Sequence, residues 1–134
     1  MVPIEVNHGQ VAHWEKGWEK FKRPDFVIRD ISSFIEREGN YTSFLNECIQ
    51  KALNGIMKLE TIQIESRKKP KFLYRLFISG EFVMSIEIFT DSKDKTKMIA
   101  SQLALSKLFP AVNKVVHSYF ENRPKDDRVI ELKA

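Results

Sequence analysis

Two groups of cations could do chemistry in this chain: Lys93, Lys95 and Lys97, and Arg67, Lys68, Lys69 and Lys71 around Pro70. Lys93 and Lys97 are four apart, so on a helix they share a face. Asp91-Ser92 ahead of them supplies capping oxygens, which places these lysines in a first helical turn. Lysine there opposes the helix dipole, at a cost of about a few tenths of a kcal/mol or more, and so suggests a use. Ammonium groups and free backbone amides together suit phosphate. Focused positive charge favours a polyanion, although one basic run alone reads most plainly as a solvated loop, so the two clusters are judged by their placement.

The chain has 134 residues, with 22 Lys plus Arg against 18 Asp plus Glu and a formal charge of +4. Residues 1–40 carry 6 basic and 7 acidic side chains, residues 41–110 carry 11 and 7, and residues 111–134 carry 5 and 4. The excess therefore sits in the middle, with the two clusters. A chain this long can bury a core without covalent staples, and 43% hydrophobic with 30% charged residues describes a single globular domain.

Other reactive residue types are not arranged for catalysis or metal binding. His8 and His13 lie far from His117, and no histidine pair has ligand spacing. Cys48, the only cysteine, excludes an intrachain disulfide and falls on an apolar helical stripe, the place of a small core residue. Asp126-Asp127 stand in a polar tail beside Arg123, Lys125 and Arg128. Glycine-rich phosphate loops, nucleophile elbows and HExxH are all missing. The expectation is a protein without catalysis, cofactor or metal. It is expected inside the cell and off the membrane, since no apolar run approaches the roughly 18 residues of a span and residues 1–10 do not resemble a secretory signal.

The elements that must position the cations follow from apolar periodicity. Trp14, Trp18 and Phe21 fall on one stripe of a helix over 11–22. Val27, Ile31, Phe34 and Ile35 mark a second over 25–38, ended by Gly39. A third, with Phe44, Leu45, Cys48, Ile49, Ala52 and Leu53 on one face, ends near Asn54-Gly55. The period then shifts to two, giving strands over 59–64, 72–79 and 82–88, the last with Phe82, Met84, Ile86 and Ile88 on one face. Gly80-Glu81 has the Gly-first chemistry of a type II′ turn, so the last two strands pair antiparallel. A helix over 93–109 follows, and Pro110 ends it and opens another with Val112, Val115, Val116, Tyr119 and Phe120 as its apolar face.

The order helix, three antiparallel strands, helix over 41–109 resembles the double-stranded RNA-binding domain family. Leu45, Asn46, Glu47 and Gln50 are similar to the family's LNExxQ-like first helix, and 100–108 is similar to its closing AAxxALxxL. Lys93 to Lys97 fall on its KKxAK signature, with Asp94 at the second lysine, and Phe72 stands eight residues before Gly80 as the family's strand-two Phe stands before its hairpin Gly. The loop motif GPxH falls at Glu65-Ser66-Arg67-Lys68, so Lys68 takes the His position and the loop would act through charge.

The resemblance implies an α+β, α-β-β-β-α domain at 41–109 with a three-stranded antiparallel sheet. It is flanked by a two-helix extension at 1–40, a helix at 110–122 and a polar tail at 123–134. It further implies binding of double-stranded or structured RNA within a larger assembly. Lys93, Lys95 and Lys97 would meet phosphates across the major groove, and Ser43, Asn46, Glu47 and Gln50 would reach 2′-hydroxyls in one minor groove. Arg67, Lys68, Lys69 and Lys71 would lie at the next. The polar face of the 41–53 helix is otherwise an ordinary wet face, and the run at 67–71 equally has the composition of a nuclear import signal. Trp14, Trp18 and Phe21 either cover the last helix as core or anchor a protein partner or second copy of the chain. Degenerate members of the family often bind proteins instead of RNA, so an adaptor or dimerisation module is the alternative.

Overall fold

The computed structural model describes residues 11–65, 68 and 70–122 and, of Glu38, the backbone alone. Period-two alternation does build three strands, β2 (Met57–Glu65), β3 (Lys71–Ile78) and β4 (Glu81–Phe89), paired antiparallel as a meander. A fourth, β1 (Val11–Trp14), lies antiparallel on β4 with Val11 opposite Glu87 and Trp14 opposite Met84. The sheet is thus four-stranded, in the order β1-β4-β3-β2, not three-stranded.

The expected helix over 11–22 is therefore corrected. Gly17 adopts a φ of 86° and breaks the chain there, and Trp18–Phe21 closes as a single 3-10 turn. An isolated helix of that length is marginal in water, whereas a strand at 11–14 pairs with the open hydrogen-bonding edge of β4. The Trp14 and Trp18 rings still meet, with centroids 4.6 Å apart, across a turn and not along a helix.

The second expected helix is shortened to α1 (Ile31–Glu38), capped as foreseen by Gly39 at a φ of 71°. Residues 25–30 are drawn off as an irregular segment because the stretch before them docks elsewhere. The Arg23 amide donates to the Leu108 carbonyl at 2.8 Å, and the Phe26 ring meets Phe109 edge-on at 6.1 Å. Among its described residues the extension thus holds one α-helix, one strand and a 3-10 turn in place of two helices.

Three helices lie where the periodicity puts them: α2 (Tyr41–Leu53), α3 (Lys93–Leu108) and α4 (Pro110–Glu121). Asn40 caps α2 by accepting from the Ser43 amide at 2.8 Å, and Asn54 ends it in the left-handed conformation. Gly55, next along, passes so close to β3 that a Cβ there would sit 3.1 Å from Ile78 Cγ2 and would have to displace that side chain by a few tenths of an ångström.

The hairpin differs by one residue from expectation. Its loop is Ser79-Gly80, both at positive φ (49° and 85°), because Glu81 pairs with Ile78 and belongs to β4. Positive φ at both central residues is the type I′ pattern. Just beyond, Leu76 faces Met84 but Phe77 faces Phe82, so Val83 is an extra residue and the side-chain phase slips. Val83 and Met84 are both buried, and Phe82 joins Phe77 with rings 5.4 Å apart, away from Met84 and Ile86.

The core lies between the sheet and the α2–α3 layer. Tyr74, Leu76, Ile78, Met84 and Ile86 meet Phe44, Leu45, Ile49, Leu105 and Leu108 there. Along α3, Ala100, Ser101 and Ala104 are fully buried, and these small side chains let the helix lie close to both α2 and the strands. Ser101 Oγ is 3.0 Å from Thr42 Oγ1 of α2 and 3.3 Å from the Tyr74 hydroxyl of β3, so one hydroxyl ties three elements. α4 packs on α3, and the Tyr119 hydroxyl donates to Glu36 Oε2 of α1 at 2.5 Å. The sheet's other face carries ion pairs, Arg75 with Glu60 at 3.0 Å and Lys71 with Glu87 at 3.3 Å.

Ala104→Leu has no room for its added methyl groups and is expected to cost about 1–3 kcal/mol. A lower urea midpoint with unchanged slope would register it, while Met98→Leu, on the exposed side of α3, leaves the midpoint in place.

Candidate nucleic-acid interface

The start of α3 is built from hydroxyls. Ser92 Oγ accepts from the Lys95 amide at 3.1 Å, capping the helix. Behind it Thr90, nearly buried, donates through Oγ1 to the Ser92 carbonyl at 2.9 Å and shares a 2.6 Å hydrogen bond with fully buried Thr96. The Thr90 amide donates in turn to the Pro70 carbonyl at 3.2 Å. Pro70 stands in the basic loop between β2 and β3, so a single residue, Thr90, ties the base of that loop to the cap of the helix that carries the other lysines.

Lys93 projects into solvent and Lys97 is half-exposed, and neither has a carboxylate within ion-pair distance among the described residues. Lys95 lies 3.9 Å from Asp91, a loose exposed pair that leaves its charge available. In the loop, Lys68 is exposed at a bend, and Arg67 and Lys69 lie outside the described residues. Lys71 is placed differently from Lys68. Its ammonium sits over the Phe89 ring at 5.1 Å and against Glu87, on the sheet face away from the helices.

On α2 the apolar residues Phe44, Leu45, Cys48 and Ile49 are fully buried, which turns Ser43, Asn46, Glu47 and Gln50 outward. Gln50 is exposed and the other three are half-buried, with Glu47 3.9 Å from Lys51 one turn on. Burial raises the Cys48 thiol far above its ordinary value, with the Glu47 charge adding to the effect, so this cysteine is held as an inert thiol. Burial also raises the Tyr74 hydroxyl, and the hydrogen bond to Ser101 offsets part of that shift.

The N-terminal aromatics are placed half-buried. Trp14 and Trp18, with Phe21, pack on the chain's own core, and Lys20 pairs with Glu81 at 2.6 Å beside them. Sequence reasoning missed the Thr90–Thr96 pair, whose only signal was Thr-x-Ser ahead of a helix. It also missed a cleft of about 450 Å³ between residues 26–30, α1 and α2, which includes Arg29, Arg37 and Lys51. That cleft exists because 25–30 is not helical, and no periodicity announces it. Among the described residues no cluster of three or more His, Cys, Asp or Glu could hold a metal ion, and no helix is long and apolar enough to cross a membrane. No family model, curated protein or solved structure matches this chain.

Ser92→Ala removes the cap and is expected to cost about 1 kcal/mol, seen as a lower melting temperature. Tyr74 sets an alkaline limit. Its phenol ionises near pH 10 when unfolded and higher when folded, so the stability it lends is whole below about pH 10 and is lost as pH rises towards the folded value. Phenolate absorbance is expected to show Tyr74 ionising only with unfolding, and Tyr74→Phe is expected to flatten the alkaline dependence.

Proposed function

We propose that this chain binds double-stranded or structured RNA without catalysis, through a divergent double-stranded RNA-binding domain at residues 41–109, within a larger RNA-processing or ribonucleoprotein assembly. The observation that carries the reading is the Thr90 joint. It fixes Lys93 and Lys97 at a helix N-terminus and anchors the base of the loop that holds Lys68, so Lys68 and the first turn of α3 lie at the same end of the sheet.

A-form RNA closes its major groove to side chains and offers phosphates and 2′-hydroxyls along one side. A reader of its shape needs separated contacts on a stiff frame. The polar face of α2 supplies hydrogen-bonding groups for one minor groove. The first turn of α3 supplies ammonium groups and free amides for phosphates, and Lys68 supplies charge at the next groove. Lys71, engaged with Glu87, adds to the local field more than to contact. With Lys68 in place of a fitted histidine and Asp94 within the lysine signature, affinity rests on charge and is strongly salt-dependent. The role places the protein inside the cell, and the basic run around Pro70 favours the nucleus.

The rival reading, a protein-docking or dimerisation module acting through Trp14, Trp18 and Phe21, has less to support it because those rings pack on the chain's own core.

Binding to duplex RNA of about 16 base pairs, against matched DNA over a salt series, tests the proposal. Lys93→Glu/Lys97→Glu is expected to weaken RNA binding by about two orders of magnitude and to lower the salt slope by about two. A folded protein that binds no duplex RNA even at low salt would leave protein docking as the function.

A further inference from the structure

The cleft between residues 26–30, α1 and α2 is lined on its apolar side by Val27, which is 55% exposed, and by Phe34, which is buried. Its volume, about 450 Å³, lies within the range of sites that hold small ligands. Its charges are unequally used. The lining sets Arg29, Arg37 and Lys51 against Asp30 and Glu47, an excess of one cation; Glu47 makes only a loose pair with Lys51 at 3.9 Å, and Arg29 and Arg37 have no ion-pair partner among the described residues. The Arg37 guanidinium sits over the Phe34 ring at 5.6 Å, which holds its planar head in place. A guanidinium held this way can fork onto a phosphate or stack on a base.

Position decides which anion fits. Glu47 belongs both to the cleft and to the outward face of α2, so the cleft opens beside the surface assigned above to the minor groove. A nucleotide leaving a duplex at that point needs an apolar surface for its base and a cation for its phosphate, and the cleft offers both. We infer that the cleft receives an unpaired ribonucleotide next to a stem, from a bulge or single-stranded end. The preferred substrate is then structured RNA with an unpaired nucleotide beside the helix, not a perfect duplex. This rests on the RNA-binding reading and narrows its substrate.

The test has two arms. In the first, anisotropy compares a blunt duplex with the same stem carrying a single-stranded end of about three nucleotides. The extended stem is expected to bind about 10-fold tighter, as one stacked base allows. Arg29→Ala/Arg37→Ala is expected to abolish that advantage while keeping blunt-duplex affinity. Equal affinity for the two stems overturns the inference and leaves the RNA-binding reading intact. In the second arm, a single-stranded trinucleotide is titrated into the labelled protein and amide shifts are followed by NMR, which also reports folding of the variant. Shifts are expected at Val27, Arg29, Arg37 and Glu47. Their appearance where blunt duplex does not bind supports the cleft while sinking the duplex reading. Unmoved cleft amides, or shifts there with a glutamate-rich peptide alone, overturn the nucleotide assignment.

Discussion

Ser101 and its neighbours Ala100 and Ala104 set how near α3 lies to the sheet, and most of the helical side of the protein depends on that distance. Bulkier residues would lift the helix, break the hydroxyl contacts from Ser101 to Thr42 and Tyr74, and separate α2 from the strands it shares a core with. With α3 seated, its position along its axis is fixed too, since a buried hydroxyl between two partners tolerates little sliding. The first turn of α3 is then held at one end of the sheet, where the loop between β2 and β3 also emerges. The basic end of the molecule is a consequence of close packing some distance from it.

That end is stabilised against its own charge. Lysines in a first helical turn are unfavourable, and the chain offsets them with a Ser92 cap and a buried Thr90–Thr96 pair where a carboxylate-rich turn would be the ordinary solution. Polar groups buried in this way hold their geometry because breaking any one leaves another unsatisfied. The lysine backbone is therefore ordered while the ammonium groups stay in water, an arrangement suited to meeting a charged surface at little entropic cost.

Much of this was legible in sequence where periodicity and punctuation agreed. Gly39, Ser92 and Pro110 bound helices where caps and breakers put them, and the alternation over β3 set Tyr74, Leu76 and Ile78 on one face, which is the face the core occupies. The failures have physical causes. Trp14, Trp18 and Phe21 match a helical stripe, but the unpaired edge of β4, some 70 residues away, offered hydrogen bonds that local periodicity cannot register. One extra residue at Val83 inverted the phase of Phe82, and a one-residue shift in the turn changed its type. For the candidate site, the cation clusters were visible as composition. What ties Pro70 to the cap of α3, Thr90, and what holds Lys71 on the sheet, the ion pair to Glu87, depend on pairing between strands.

The pairing of β1 with β4 also bears on how the protein is made. A ribosome delivers Val11–Trp14 some 70 residues before their partners Met84 to Glu87. During that interval the two tryptophans have no surface of their own to cover them, and the irregular stretch after them has no Leu108 or Phe109 to dock on. The α2-to-β4 region can assemble from contacts closer in sequence, so β1, although translated before that region, docks after it. Nascent chains of this protein thus carry an exposed aromatic segment, a natural target for a chaperone until β4 and α3 clear the exit tunnel.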